Sequence, residues 1–220
     1  VTVVGSQLYV GSSDNVITAH TLTEGTLAGN YSISYLPGTL EVTDAAIAIT
    51  VTADSNSKTY DGSALTDNGW ERTAGTLAEG DYLVVTVEGT ITNAGTENNV
   101  ITEVKVMHEA GEVDEDVTDN YDITEIDGLL TVDPVTIVLT AASDSKVYDG
   151  TPLTKDDYSI TTGAFVGSDG LATVTVVGSQ LYVGSSDNII TAHTLNAGTL
   201  AANYSISYLP GTLEVTDAAI

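Results

Sequence analysis

The sequence has no cysteine, little proline and very few positive charges. Its 220 residues include no Cys, 4 Pro and only 5 Lys and Arg together. Without cysteine the chain forms neither disulfides nor thiolate metal sites, so cysteine usage does not distinguish an exported protein from a cytosolic one. No apolar run is long enough to cross a bilayer, and no signal-peptide pattern is present at the first residues. If the protein is exported, we expect its export signal to lie outside this segment.

Negative charge dominates what is present. Asp and Glu number 31, and the formal net charge is −26. This charge opposes binding to nucleic-acid phosphates and to anionic membrane surfaces, so we expect no nucleic-acid partner and no membrane insertion of this segment. It also leaves many carboxylates for hard cations such as calcium. Because 42% of the residues are hydrophobic, the composition excludes a disordered chain.

Internal repeats organise the chain. Residues 1–47 recur at 174–220 with four substitutions. Within that spacing, ITVTADSNSKTYDG at 49–62 matches IVLTAASDSKVYDG at 137–150, and NYDITEIDGLLTV at 120–132 matches NYSISYLPGTLEV at 203–215. The pattern predicts two complete modules, 49–134 and 135–220, preceded by the C-terminal half of a third module at 1–48.

The first copy resembles the third far more than the second, which predicts a parent protein that alternates two module types. We expect this segment to belong to a longer tandem array, with neighbouring copies as its partners. Residues before Val1 are then expected to read like 135–173, and residues after Ile220 like 48–62. A second hypothesis for the half module is that another chain pairs with its open sheet edge.

The predicted secondary structure is almost all strand. Segments rich in Val, Ile and Thr with period-two alternation are separated by short turns such as Asp61-Gly62 and Asp149-Gly150. No window has a sustained helical period. The connections between modules, at 42–48 and 132–137, are short and are not flexible Gly/Ser linkers. We therefore expect small all-β modules in tandem, arranged as an extended rod.

The motif K-x-Y-D-G occurs in both complete modules. Lys58 and Lys146, two of four lysines in the chain, lie two residues before Tyr60 and Tyr148. The Asp-Gly pair predicts a tight turn, and each tyrosine is expected to be buried with its hydroxyl at the rim. One interpretation of each lysine is a stem packed on the ring with its ammonium paired to a nearby carboxylate.

A second interpretation is an intramolecular isopeptide bond between the first and last strands of a module. This reaction needs a neutral lysine, an asparagine carboxamide and a carboxyl group that transfers protons. The candidate sets are Lys58, Asn120 and Asp61 in one module, and Lys146, Asn203 and Asp149 in the other.

Other candidate sites are weaker. Asp114, Asp116 and Asp119 lie in an acidic run that offers oxygen ligands for calcium, but the run lacks the EF-hand pattern and is also typical of a solvated loop. Trp70, the only tryptophan, lies beside Asn68-Gly69 in a predicted loop and is the candidate for an exposed ligand contact. The sequence contains neither a phosphate-binding loop nor a nucleophile elbow, and we expect no enzyme.

Tyrosines and histidines recur at matched positions. Tyr31 and Tyr35, like Tyr204 and Tyr208, are spaced by four residues in a predicted strand, which favours a place in the core. His20 and His193 occupy one repeat position, for which a structural or exposed role is expected. A second function hypothesis is nonetheless that exposed aromatic faces bind mucin or glycans weakly in many copies.

The ordered pair of motifs, K-x-Y-D-G near the module start and N-Y…G-x-L-x-V at its end, resembles the YDG/MBG repeat families of large bacterial surface adhesins, which are related to mucus-binding β-grasp repeats. The resemblance covers nearly the whole chain. It implies an extracellular protein attached to the bacterial cell surface, with modules that are β-grasp-like with little helix or immunoglobulin-like sandwiches. Tandem modules of this kind are expected to form a stalk or fibre.

Overall fold

The computed structural model describes residues 1–43 and 46–218 and is all-β, as the sequence predicts. The described residues form 18 strands and three 3₁₀ helices of three residues each. In chain order the strands are β1 (Thr2–Val4), β2 (Gly11–Ala19), β3 (Gly38–Val42), β4 (Ile47–Ala53), β5 (Asn56–Thr59), β6 (Trp70–Ala74), β7 (Asp81–Glu88), β8 (Gly95–His108), β9 (Glu115–Asp116), β10 (Tyr121–Ile126), β11 (Gly128–Asp133), β12 (Val135–Ala141), β13 (Asp144–Val147), β14 (Tyr158–Thr162), β15 (Leu171–Val177), β16 (Gly184–Leu195), β17 (Tyr204–Leu209) and β18 (Gly211–Thr216). The helices are η1 (Ala28–Asn30), η2 (Thr118–Asn120) and η3 (Ala201–Asn203).

The chain divides into two compact units. Unit 1 comprises Val1–Ala53, Gly69–Val87 and Ile101–Asp127, and unit 2 comprises Asp54–Asn68, Glu88–Val100 and Gly128–Ile220. The segment 49–134 therefore contributes to both units. The compact units do not coincide with the repeat boundaries, which remain a prediction from the sequence.

In unit 1, β4 lies between a parallel neighbour, β10, and an antiparallel neighbour, β6. The alternate residues Ile49, Val51 and Ala53 of β4 are buried and form a core with Val106 and Tyr121. Beta-branched side chains suit this position because they pack well on a pleated surface. The first repeat forms a separate three-stranded sheet, β1-β2-β3.

Unit 2 repeats the same strand order. Here β12 lies between the parallel β17 and the antiparallel β14. A second sheet has the order β13-β18-β16-β15. Ile137 and Leu139 of β12 share one core with Ile190 of β16, so that the two sheets pack against each other as in a β-sandwich.

A buried asparagine binds the backbone where the chain passes from β12 in one sheet of unit 2 to β13 in the other. The crossing from β12 to β13 is at Ala142 and Ser143. Asn188, which is fully buried, donates its side-chain N–H groups to the carbonyl oxygens of Ala142 and Lys155, both at 2.8 Å. In the previous repeat, Asn99 likewise donates to the carbonyl oxygen of Asp54 at 2.9 Å. Buried polar groups need such partners, and these asparagines supply hydrogen bonds where a sheet ladder is interrupted.

Candidate functional site

The lysine of each K-x-Y-D-G motif binds the turn that follows it. Lys58 Nζ donates to Asp61 Oδ1 at 2.7 Å, to the Ser63 carbonyl oxygen at 2.6 Å and to the Ser63 hydroxyl at 2.8 Å. Lys146 makes the same three bonds in its own turn. An ammonium group has three N–H donors, so the turn occupies all of them. The predicted pairing of these lysines with a nearby carboxylate is confirmed.

The aspartate is the centre of this turn. Asp61 Oδ1 also accepts the backbone N–H of Ser63 at 2.9 Å and the Ser63 hydroxyl at 2.7 Å. The hydrogen bond from Lys58, followed by those from Ser63, holds the pKa of Asp61 well below its usual range. The same arrangement lowers the pKa of Asp149. Hydrogen bonds to the charged form of a carboxyl group favour that form.

The predicted asparagine partners have other contacts. Lys146 and Asp149 meet as the crosslink hypothesis requires, but the described hydrogen bonds of Asn203 go to Asn93 and Ala94. These contacts give Asn203 a role between repeats rather than between the strands of one module. The two residues that an isopeptide bond would join thus have separate hydrogen-bond partners, which favours the paired-ammonium interpretation of Lys146.

A junction between the first and second repeats forms inside unit 1. The backbone N–H of Val10 donates to Asn120 Oδ1 at 3.0 Å. The ring of Tyr9 meets that of His108 edge-on, with 6.0 Å between centroids. A cleft of about 290 Å³ lies between this turn and the face that carries Asp81, His108 and Asn120. We call this contact the first junction.

A second junction forms inside unit 2 from the corresponding positions. The backbone N–H of Ala94 donates to Asn203 Oδ1 at 2.8 Å, and Asn203 Nδ2 donates to Asn93 Oδ1 at 3.1 Å. The ring of Tyr60 lies edge-on to that of Tyr204, with 5.8 Å between centroids. Such edge-to-face pairs add stability beyond the area that they bury. We call this contact the second junction.

Glycine fixes the turn that presents the donor at both junctions. Gly11 and Gly95, which follow Val10 and Ala94, have φ of +132° and +147°. Residues with a Cβ rarely adopt this backbone conformation. The glycine is therefore part of the local structure that directs the preceding N–H toward the asparagine.

A hydrogen bond between a tyrosine and an aspartate lies next to each junction. Tyr121 donates its hydroxyl to Asp81 at 2.5 Å, and Tyr204 donates to Asp169 at 2.7 Å. In both cases the tyrosine oxygen accepts a backbone N–H from the residue three positions before the aspartate, at 2.9 and 3.0 Å. His108 Nδ1 lies 2.6 Å from Asp81 at the first junction only. The aspartate is thus common to both junctions, and the histidine is not.

Burial and the nearby carboxylates disfavour ionisation of these tyrosines. Burial, and then the hydrogen bond to Asp169, raise the pKa of Tyr204 to about 12. Burial and Asp81 raise the pKa of Tyr121. At the first junction, a hydrogen bond with Glu115 raises the pKa of Tyr9. A neutral tyrosine remains a hydrogen-bond donor to its carboxylate at physiological pH.

The sequence interpretation missed Asp81 and Asp169. Their signal is weak: each is the first residue of a D-x-L triplet, and the two triplets are 88 residues apart. This is the spacing that separates the two K-x-Y-D-G motifs. Alignment of the repeats beyond their strongest motifs would have found the pair.

Two predictions about buried tyrosines are wrong in part. Tyr60 is partly buried, as predicted, but Tyr148 is 40% exposed. The second junction explains the difference, because Tyr60 packs on Tyr204 there. Among the later tyrosines, Tyr204 is 7% exposed and belongs to the core, whereas Tyr31 is 61% exposed. Residues 165–169 cover Tyr204.

Tyr35 and Tyr208 are also exposed rather than buried. Each contacts the histidine of its own repeat. The Tyr35 hydroxyl shares a hydrogen bond with His20 Nδ1, and Tyr208 shares one with His193 Nδ1. The rings in each pair meet edge-on. These matched His–Tyr pairs form a recurring polar and aromatic surface that the sequence patterns did not show.

Trp70 is the first residue of β6, so its predicted position in a loop is wrong. Its side chain is partly buried against the unit 1 core. The β-branched and aromatic preference of strands accounts for this placement. A ligand contact through the part of the indole that stays accessible remains a prediction.

The calcium candidates lie near the first junction, but the carboxylates of Asp114 and Asp116 accept hydrogen bonds from different residues. Asp114 accepts the Tyr82 hydroxyl at 2.6 Å, and Asp116 accepts the backbone N–H and hydroxyl of Thr118. Asp119 lies in η2. In the described ranges, 1–43 and 46–218, no three His, Cys, Asp or Glu side chains are grouped to hold a metal ion. Calcium binding by these residues remains a prediction.

Comparison with known proteins found no matching family, no matching curated protein and no matching solved structure. None of the helices in the described part of the chain is long and apolar enough to span a membrane. The arrangement of residues at the two junctions is therefore the main basis for a functional proposal.

Proposed function

We propose that this chain is part of the stalk or fibre of a large bacterial cell-surface adhesin or filament protein. In this proposal the modules follow one another in an extended, stiff rod outside the cell, and neighbouring modules are the principal partners. The proposal assigns no catalytic reaction to the chain. The Asp81–His108–Tyr121 cluster has a structural role in the first junction.

The observation that carries the proposal is the repetition of the junction. At two successive places, a backbone N–H before a positive-φ glycine donates to the asparagine that ends a 3₁₀ helix. The tyrosine that follows each asparagine donates its hydroxyl to an aspartate. A repeated contact between modules favours a defined angle between them, whereas a flexible linker does not.

The K-x-Y-D-G and N-Y motifs that resemble YDG/MBG repeats take part in these contacts. Tyr60, from a K-x-Y-D-G motif, and Asn203, from an N-Y motif, both make contacts at the second junction. We propose that the modules are of the sandwich type rather than β-grasp, because two sheets share one core in unit 2. The acidic surface supports an exposed, soluble rod that does not associate side by side.

Small-angle X-ray scattering tests the rod. A compact globule of this length has a radius of gyration of about 17 Å, and a rod is expected to exceed that value clearly. The Asn203→Ala, Tyr60→Ala double variant weakens the second junction and is expected to broaden the distribution of interatomic distances. A compact particle, or a wild-type profile as flexible as that of the variant, would contradict the proposal.

Antibodies against the chain test its location. Labelling of intact cells of the source bacterium is expected, together with loss of the label after brief surface proteolysis. Labelling that requires lysis of the cells would contradict an extracellular stalk. A cytosolic protein with known location serves as the control for cell integrity.

The alternative function is multivalent binding of mucin or glycans. Its support is the exposed His–Tyr pair, His20 with Tyr35 and His193 with Tyr208. Exposed aromatic faces suit sugar rings, and many weak sites gain affinity together. Binding to immobilised mucin that falls in the Tyr35→Ala, Tyr208→Ala variant would favour this function over a stalk alone. Equal binding by wild type and variant would exclude these pairs as the site.

A further inference from the structure

In the described part of the chain, the third copy carries an exposed counterpart of the surface that docks at both junctions. Tyr182 and Val183 correspond to Tyr9 and Val10 by the 173-residue repeat, and Gly184 follows with φ of +134°. Tyr182 is 70% exposed and Val183 is 51% exposed. Their counterparts in the first junction contact the next repeat.

The tyrosine of the second K-x-Y-D-G turn belongs to the same surface. Tyr148 corresponds to Tyr60, which reaches Asp169 and Tyr204 of the following repeat at the second junction. Because Tyr60 and Ala94 contact one face there, Tyr148 and Val183 are placed to contact one face too. The exposure of Tyr148 is what we expect of a docking surface to which no module is bound.

The two junctions also differ in a way that predicts which partner fits. At the first junction the residue before the donor N–H is Tyr9, whose ring meets that of His108 edge-on and whose pKa is raised by Glu115 of β9. At the second junction this residue is Asn93, which accepts a hydrogen bond from Asn203. Among the described residues of 135–218, no strand corresponds to β9. A tyrosine thus fits the 49–134 type of face, and an asparagine fits the 135–220 type.

We propose that the surface formed by Tyr148, Tyr182 and Val183 docks a further module of the 49–134 type, and that Tyr182 selects this type over the 135–220 type. The partner would present an asparagine, an aspartate, a histidine and a glutamate as Asn120, Asp81, His108 and Glu115 do. This inference rests on the proposed stalk function, because an array is what supplies a next module. It adds the residues that determine the order of the two module types.

The test is a fusion in which a second copy of residues 48–134 follows Ile220 of the full chain. This placement reproduces the connection after residue 47, because 174–220 repeats 1–47. Hydrogen–deuterium exchange is then measured by mass spectrometry on the peptide that contains Tyr182 and Val183. Docking is expected to slow exchange of the Val183 amide about tenfold, as one hydrogen bond implies. The peptides around Val10 and Ala94 serve as docked references within the same molecule.

Matched fusions separate docking from other causes of protection. Asn120→Ala in the appended copy alone removes the acceptor and is expected to restore fast exchange at Val183. A fusion that carries 136–220 in place of 48–134 is expected to protect Val183 poorly, and Tyr182→Asn to improve that protection. Equal protection by both appended types would overturn the selectivity.

Several outcomes would overturn the docking itself. One is an exchange rate at Val183 that is the same in the fusion and in the unfused chain. Another is an appended copy that does not fold beside this surface, since the identical segment folds beside Tyr9 and Val10. A third is protection in the unfused chain that rises with its concentration, because a second copy of the chain would then be the partner. The scattering experiment tests the rod separately, so an extended chain with a fast Val183 amide would refute docking and leave the stalk proposal intact.

Discussion

Asn203 accepts the backbone N–H of Ala94 through its side-chain oxygen at 2.8 Å, although the two residues are 109 positions apart. Its side-chain nitrogen donates to Asn93, and the residue is 1% exposed. One asparagine therefore carries two hydrogen bonds between consecutive repeats. The bond from Val10 to Asn120 repeats the first of these contacts. The Asn-Tyr motif is thus a junction motif as well as the start of a strand.

Substitution of Asn203 by alanine is expected to destabilise the second junction. The variant leaves the N–H of Ala94 without its acceptor in a partly buried place. A buried donor that loses its partner costs about 1–3 kcal/mol. We expect a decrease of that size in the free energy of unfolding, measured by urea denaturation with the far-UV circular dichroism signal.

Asn30 provides the matched control. It occupies the same Asn-Tyr motif in the first copy but is exposed. Asn30→Ala is expected to change the free energy of unfolding by less than about 0.5 kcal/mol, as is usual for surface substitutions. Equal effects of the two substitutions would contradict the assignment of Asn203 to a junction.

The intact mass of the denatured chain is expected to equal the mass calculated from the sequence. All three ammonium donors of Lys146 are engaged in its own turn, and the charged form of Asp149 is stabilised there. The isopeptide reaction needs a neutral lysine instead. High-resolution mass spectrometry decides the matter. A deficit of one ammonia per complete module that disappears in Lys146→Ala and Lys58→Ala would establish the crosslink.

The K-x-Y-D-G turns are expected to lose stability in acid. The folded-state pKa of Asp149 lies below the value of 3.8 for an unperturbed aspartate. A lowered folded pKa contributes stability above the unfolded pKa, and this contribution is lost as the pH falls toward the folded value. The difference in unfolding free energy between wild type and Asp149→Asn is therefore expected to persist from pH 7 to about pH 4 and to shrink below it.

Asp156→Asn makes the same change in net charge at an exposed position, so it controls for the general repulsion among the 31 acidic residues. Urea denaturation of the three proteins between pH 2 and pH 7 provides the measurement. A difference between wild type and Asp149→Asn that stays constant below pH 4, or that matches the Asp156 control, would refute the role of the turn.

The fold class followed directly from the sequence. Alternating Val, Ile and Thr in segments such as 49–53 determine which face of β4 is buried, and this pattern is local. The Asp-Gly turns are equally local, since glycine supplies the positive φ at Gly62 and Gly150. The strands and turns could therefore be predicted, because they depend on residues only a few positions apart.

The junctions could not be predicted in the same way. Val10 and Asn120 are 110 residues apart, and nothing in either stretch alone indicates that they meet. The sequence suggested Asn203 as a crosslink partner of Lys146, because both residues suited a known reaction, whereas its hydrogen bonds in the structure go to Asn93 and Ala94. Tyr204 is buried and Tyr31 is exposed although their local sequences are identical, because a segment distant in sequence covers Tyr204. Such coverage cannot be read from the local sequence.

Gly178 contacts the asparagine that holds the crossing between sheets. A Cβ at this position would collide with Oδ1 of Asn188 and approach its Cα to 2.9 Å and Leu213 Cδ1 to 3.0 Å. Asn188 is held by its side-chain N–H bonds to the carbonyl oxygens of Ala142 and Lys155, so a shift of this side chain away from a new Cβ would break those bonds.

Gly178→Ala is therefore expected to destabilise the chain by about 1–3 kcal/mol, the usual cost of overpacking a core. Gly29→Ala is the control, because a Cβ there meets no atom within 4 Å and the third copy already has Ala202 at this position. Urea denaturation of both variants gives the comparison. Gly89, which approaches Asn99 in the same way, is expected to show the same penalty on substitution by alanine. If Gly178→Ala were as stable as Gly29→Ala, the close contact with Asn188 would not constrain the fold.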